Sequence, residues 1–102
     1  MEIDISGRHF HVAEALRKYA AEKIDKLDKY AAKLETAHVI MEVQKFVHTV
    51  EITVLGKKLR FTAKERSTDM YAAFDKACEN MKRQLRHYHE KLKDHKARRY
   101  ET

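Results

Sequence analysis

The sequence predicts an α+β domain of order β-α-β-β-β-α: a four-stranded mixed sheet with two helices packed on one face. Three observations predict it. Two long stretches repeat apolar residues every three or four positions, and four short runs alternate apolar with polar residues. The 102 residues include no proline and only two glycines, so nothing divides the chain. A single domain over residues 1–96 is expected, followed by a basic polar tail at 97–102.

Ile3 and Ile5 alternate with polar neighbours and form a short first strand, which Ser6-Gly7 is expected to break. From Val12 to Leu34 an apolar stripe runs through Leu16, Ala20, Ile24, Leu27, Ala31 and Leu34, one face of an amphipathic helix. Its start is weak. Ala13 stands where a Ser, Thr or Asp cap would contribute about 1 kcal/mol. Val39, Met41 and Val43 mark the second strand, Val50, Ile52 and Val54 the third, and Leu59, Phe61 and Ala63 the fourth. A two-residue Gly56-Lys57 loop suits a type II′ hairpin and would pair Val54 with Leu59, Ile52 with Phe61 and Val50 with Ala63.

Ser67-Thr68-Asp69 offers caps for a second helix running from Asp69 to about Lys96, with Met70, Phe74, Ala77, Met81, Leu85, Tyr88 and Leu92 as its stripe. Such a helix is about 40 Å long against about 25 Å for a seven-residue strand, so its last turns should overhang the sheet. The first two strands, joined across a helix, should be parallel if adjacent, and the hairpins antiparallel.

Charge then narrows the function. Lys and Arg outnumber Asp and Glu by 22 to 16, and 37% of residues are charged. Residues 80–100 hold eight cations against Glu90 and Asp94, a net +6 that equals the formal charge of the whole chain. On the second helix Lys82, Arg86, His89, Lys93 and Lys96 line one flank of the stripe, and Arg83, His87, Lys91 and Arg98 the other. Helix-dipole matching fades within the last turn and does not account for Lys82 to Arg86. On the first helix Lys18, Lys23, Lys26, Lys29 and Lys33 gather along the back and one flank, while Arg17 and Glu22 fall out of pattern. A phosphate-contacting helical surface explains this distribution better than solubility alone.

The open sheet face should carry Thr49, Glu51, Thr53, Arg60, Thr62 and Lys64, without the aromatic platform on which sheet-based RNA readers stack bases. Phe61 points to the core and Phe46 falls at a hairpin tip. Binding is therefore expected through helices to phosphates and RNA shape. The α-β-β-β-α portion resembles double-stranded-RNA-binding domains in outline, without their loop motifs.

Other classes are disfavoured. The single cysteine, Cys78, excludes an internal disulfide and a Cys-rich zinc site, and its position at the edge of the stripe marks it as a small core residue. His87 and His89 project about 200° apart on a helix and do not chelate one ion; His9 and His11 lack further ligands. No Gly-rich phosphate loop or catalytic constellation appears, so neither an enzyme nor a cofactor nor a small-molecule substrate is expected. Met1-Glu2-Ile3-Asp4 does not read as a signal peptide, and no apolar run approaches the roughly 20 residues of a membrane span. A cytoplasmic protein without membrane contact is expected.

Asp69-Met70-Tyr71-Ala72-Ala73-Phe74-Asp75, followed by Arg83-Gln84-Leu85 and Lys91-Leu92-Lys93, resembles the ribosome hibernation-promoting factors and the related ribosome-associated inhibitor A. Ile5-Ser6-Gly7, Glu14-Ala15-Leu16-Arg17, Lys23 and Lys26-Leu27 extend the resemblance over residues 1 to about 95. The resemblance implies a domain that binds small-subunit (16S-type) rRNA of the 70S ribosome near the decoding centre. There it blocks mRNA and tRNA sites and inhibits translation in idle, stationary-phase or stressed cells. By position it implies rRNA contacts at Lys23, Lys26, Arg83 and Lys91. The charge pattern adds Lys29, Lys82, Arg86, His87, His89 and Lys93.

Positions 87 and 89 are commonly lysine in short relatives, so histidine there predicts binding that strengthens below about pH 6.5. Long members carry a C-terminal dimerisation domain after a linker, which this sequence does not show. A monomer in isolation is expected, whether as a natural short form or as part of a long one. Two competing readings are a general structured-RNA binder and a protein–protein module docking an acidic partner.

Overall fold

The computed structural model describes residues 1–30 and 33–101, with side chains as far as Lys91. Its elements are β1 (Glu2–Arg8), α1 (Glu14–Asp25) with a 3-10 segment at Lys26–Tyr30, β2 (Leu34–Gln44), β3 (Val47–Gly56), β4 (Leu59–Ser67) and α2 (Met70–Glu101). The sheet order is β1-β2-β3-β4; β1 is adjacent to β2 and parallel to it, and the two hairpin pairs are antiparallel, the orientations expected of their connections.

Both helices cover one face. Phe74, Met81 and Leu85 of α2 and Ile24 of α1 are fully buried with Leu27 of the 3-10 segment against Met41, Val39, Val50, Ile52 and Val54 of the sheet. No polar or charged residue is buried among those described. Cys78 lies in this core, as its place on the stripe predicted. Burial pushes its thiol up from the ordinary value, with Lys82 opposing. Truncating Phe74 to alanine should cost about 3–5 kcal/mol.

Three local expectations need correction. Ser6-Gly7 does not end β1, which continues to Arg8. Glycine is needed there for another reason: a Cβ at Gly7 would run into the Phe10 carbonyl oxygen, where the chain folds back.

The first helix does not reach Leu34. It tightens at Lys26 so that Leu27 is buried, and Leu34 opens β2 instead. Leu34 is buried all the same, so the core requirement that shaped the stripe is met from a strand. Lys33, at φ 69°, turns the chain between them. Ala31 of the expected stripe lies outside the described residues, as do the side chains of Leu92, Lys93, Lys96 and the expected 97–102 tail. The weak start is as read: Ala13 caps α1 with no side-chain hydrogen bond.

The β3–β4 loop is Lys57-Lys58, not Gly56-Lys57. Gly56 pairs with Leu59, Val54 with Phe61 and Ile52 with Ala63. The register is two residues from the expected one, and a two-residue shift keeps every side chain on its face. Lys58 takes the left-handed conformation at φ 65°. Gly56 serves packing: a Cβ there would stand 2.7 Å from the Lys33 carbonyl oxygen.

Arg17, out of pattern in the sequence, donates from its guanidinium to the Ile5 carbonyl at 2.7 Å and ties α1 to the edge strand β1. At the head of α2, Asp69 is the cap: its carboxylate accepts from the Ala72 backbone N–H at 3.0 Å.

Candidate nucleic-acid interface

The helices meet along a seam whose contacts advance in step. Tyr19 meets Tyr71 edge-on with centroids 5.0 Å apart, Lys23 meets Asp75, and Tyr30 meets Arg86. Residue numbers rise together on both sides, so α1 and α2 run in the same direction. Both end toward the β3–β4 turn, because α2 runs back along β4: Lys76 donates to the Arg66 carbonyl and Gln84 to the Thr62 carbonyl.

The upper seam is self-satisfied. The Tyr19 hydroxyl donates to Asp75 Oδ1 at 2.6 Å and the Lys23 ammonium reaches the same oxygen at 3.1 Å. Lys23 also lies over the Tyr19 ring, 4.9 Å from its centroid. The side chains of Tyr19 and then Asp75 hold the Lys23 ammonium well above its ordinary value.

The lower seam is different. Lys29 lies 5.1 Å and the Arg86 guanidinium 5.5 Å from the centroid of Tyr30. Burial alone would raise the Tyr30 phenol, but Lys29, Arg86 and Lys82 together pull it below its ordinary value. Lys82 has Glu79 at 3.8 Å. Among the described residues neither Lys29 nor Arg86 has a carboxylate within ion-pair reach. Cations from two elements thus converge on one aromatic ring, which orders them without neutralising them.

Of the ten residues expected to contact RNA, Lys23, Lys29, Lys82 and Arg86 are brought together at this seam. Lys26 is exposed at the head of the 3-10 segment, and His89 is exposed one turn beyond Arg86 on the same flank. Arg83 and His87 lie on the opposite flank, bordering a shallow surface with Asn80 and Gln84, and Lys91 follows a turn later. Lys93 lies outside the described side chains. The sequence reading missed Tyr30 and Tyr19; the available signal was an aromatic directly after a lysine, at Lys29-Tyr30 and Lys18-Tyr19.

The open sheet face carries Thr49, Glu51, Thr53, Arg60, Thr62 and Lys64 as expected; Thr53 and Thr62 meet across the strands at 3.2 Å. Phe61 turns to the helix side, its ring 5.4 Å from that of Tyr88. Among the described residues no three His, Cys, Asp or Glu side chains converge as metal ligands, and no helix is long and apolar enough to cross a membrane.

Comparison with known proteins decides the family. The profile of the family described as sigma 54 modulation protein / S30EA ribosomal protein matches residues 3–93. The chain belongs to this family. It is 33% identical over 95 residues to the ribosome hibernation promoting factor of Escherichia coli K12, covering 93% of this chain and all of that one. It is 35% identical over 91 residues to the protein of the same name from Pseudomonas putida, covering 89% of each. Among solved structures, the Thermus thermophilus Protein Y N-terminal domain superposes with a TM-score of 0.80 at 27% identity, over 86% of this chain and 99% of that one. A ribosomal subunit interface protein from Coxiella burnetii shares the fold, with a TM-score of 0.78 at 23% identity over 86% and 97% of the two chains.

Proposed function

We propose that this chain is a ribosome hibernation factor that seats its helical seam on small-subunit rRNA near the decoding centre. It acts by occupation: the bound domain fills the mRNA and tRNA sites and holds idle 70S ribosomes out of translation in the cytoplasm. Lys26, Lys29, Lys82, Arg83, Arg86 and Lys91 are the phosphate contacts, and the charge pattern of the sequence adds Lys93. Lys23 sits among them but is already engaged with Asp75, so its larger contribution is to hold the helices in register. No covalent step is involved.

The observation that carries this reading is the lower seam, where Lys29 and Arg86 both lie against Tyr30 with no acidic partner among the described residues. A guanidinium and an ammonium gathered around one ring in that way suit a phosphate backbone, which binds through charge and releases counterions. Family membership and relatives named ribosome hibernation promoting factor support the ribosome as the target.

Co-sedimentation with 70S ribosomes tests it. Wild-type protein should pellet with ribosomes and be displaced by initiator tRNA, and Arg83→Glu/Lys91→Glu, shown folded by circular dichroism, should stay in the supernatant. Failure of the wild type to bind at moderate salt would overturn the proposal and favour a protein partner.

A further inference from the structure

The helical cations occupy one end of the sheet; the β2–β3 hairpin occupies the other. Its two-residue turn, Lys45-Phe46, links Gln44 to Val47. Phe46 is 88% exposed, the most exposed large apolar side chain described, and its neighbour Val47 is 43% exposed. Lys45 holds the turn in the left-handed conformation at φ 58°, unusual for a lysine. Neither the core nor the helical seam uses this ring.

Behind the tip, on the open sheet face, lies a depression of about 550 Å³ whose lining includes Lys45, Val47, Thr49, Lys64 and Arg66. Its acidic member, Glu42, is engaged by Arg8 at 3.6 Å. Lys64 stands across from Glu51 and Arg66 across from Thr49, and both cations are exposed. Two residues apart on one strand, they are about 7 Å apart, comparable to the stride of one extended nucleotide.

We propose that the hairpin tip is a second RNA-binding site: an unpaired base stacks on Phe46, its phosphate meets Lys45, and the phosphates of the following nucleotides pass Arg66 and then Lys64. The proposal rests on the RNA-binding reading above for its physiological ligand, rRNA, but concerns the opposite end of the domain, about 30 Å away along β3. The features select the ligand class. A duplex keeps its base faces stacked and unavailable, whereas an unpaired base offers a face to any aromatic ring. A stable protein interface needs about 800 Å² per partner, more than Phe46 and Val47 provide, and cations rather than apolar groups surround them.

The chain has no tryptophan, so Phe46→Trp installs a single reporter at the tip. Excited selectively, it should be quenched both by 70S ribosomes and, at low salt, by an unstructured twelve-nucleotide RNA of mixed sequence. Phe46→Ala should weaken ribosome binding about five- to a hundredfold, and Phe46→Tyr should restore it to within about twofold. The ring is at the surface, so these variants should melt like the wild type.

Quenching by the oligonucleotide without ribosome binding would support the tip site while overturning the hibernation reading. Ribosome binding that is unchanged in Phe46→Ala, with no quenching by either probe, would overturn the tip site and leave that reading standing. A blue-shifted, brightened tryptophan on ribosomes, unquenched by RNA, would place the tip against protein and would likewise overturn it.

Discussion

The seam between the helices has two halves built from the same residue types to opposite effect. In the upper half a lysine and a tyrosine converge on Asp75, a second tyrosine packs edge-on against the first, and the lysine's charge is consumed internally. In the lower half two lysines and an arginine surround Tyr30, with Glu79 beside Lys82 alone. One carboxylate makes the difference. With it the seam is a clamp; without it the seam is a surface that needs an external anion. A lysine on a basic stripe is thus not read by its own position but by what faces it from the neighbouring element.

The largest expected effect comes from reversing the lower half. Lys29→Glu/Arg86→Glu should weaken ribosome binding by at least about a hundredfold, since charge-assisted hydrogen bonds contribute about 1.5–3 kcal/mol each. The measurement is a co-sedimentation titration on protein shown to be folded. A loss smaller than tenfold would mean that the lower half is not the principal contact.

The matching change in the upper half should act on stability instead. Asp75→Ala leaves the Tyr19 hydroxyl and Lys23 without their shared acceptor. A lost hydrogen bond of about 1 kcal/mol lowers the melting temperature of a domain this size by about 4–8 °C. Ribosome affinity at a temperature where the variant is folded should change by less than about threefold. An unchanged melting temperature with a large loss of affinity would erase the distinction between the halves.

Salt dependence sharpens the same contrast at single residues. Each phosphate contact contributes about 0.7–0.9 to the slope of log affinity against log salt. Lys26→Gln should lower the slope by about that amount, and Lys23→Gln should leave it unchanged. Equal decreases would assign Lys23 to the RNA after all.

Much of the fold could be read from periodicity because burial on a sheet face or helix stripe is a demand on single residues at fixed spacing. The order of the elements and most of both stripes follow from it, and so do the buried Cys78 and the Asp69 cap. Where the reading went astray, one residue satisfied two structures. Leu34 extends the spacing of the helix stripe, yet is buried equally well at the start of β2. Gly56 looked like a turn residue, yet is required by the Lys33 carbonyl 2.7 Å from where its Cβ would be.

The basic flanks were visible in the sequence because helical geometry fixes them. The clamp and the Tyr30 cluster were not, since they depend on how far α1 slides along α2. That offset is set by contacts such as Tyr19 with Phe74, whose rings lie 6.0 Å apart. Arg17 shows the same limit: its acceptor is a backbone carbonyl of an edge strand, which no pattern of side chains reveals.

The smallest expected effect lies on α2 beyond the seam. His87 and His89 are both exposed, His87 beside Arg83 on one flank and His89 a turn beyond Arg86 on the other. An imidazole gains a positive charge as pH falls through about 6.5, and a phosphate nearby favours the charged form. The added affinity is therefore present at low pH and is lost as pH rises. At constant ionic strength, ribosome affinity should rise by about threefold for each contacting histidine between pH 8 and pH 5.5. His87→Gln/His89→Gln should flatten the profile while leaving affinity at pH 8 within about twofold, and a wild-type profile already flat would remove both histidines from the contact surface.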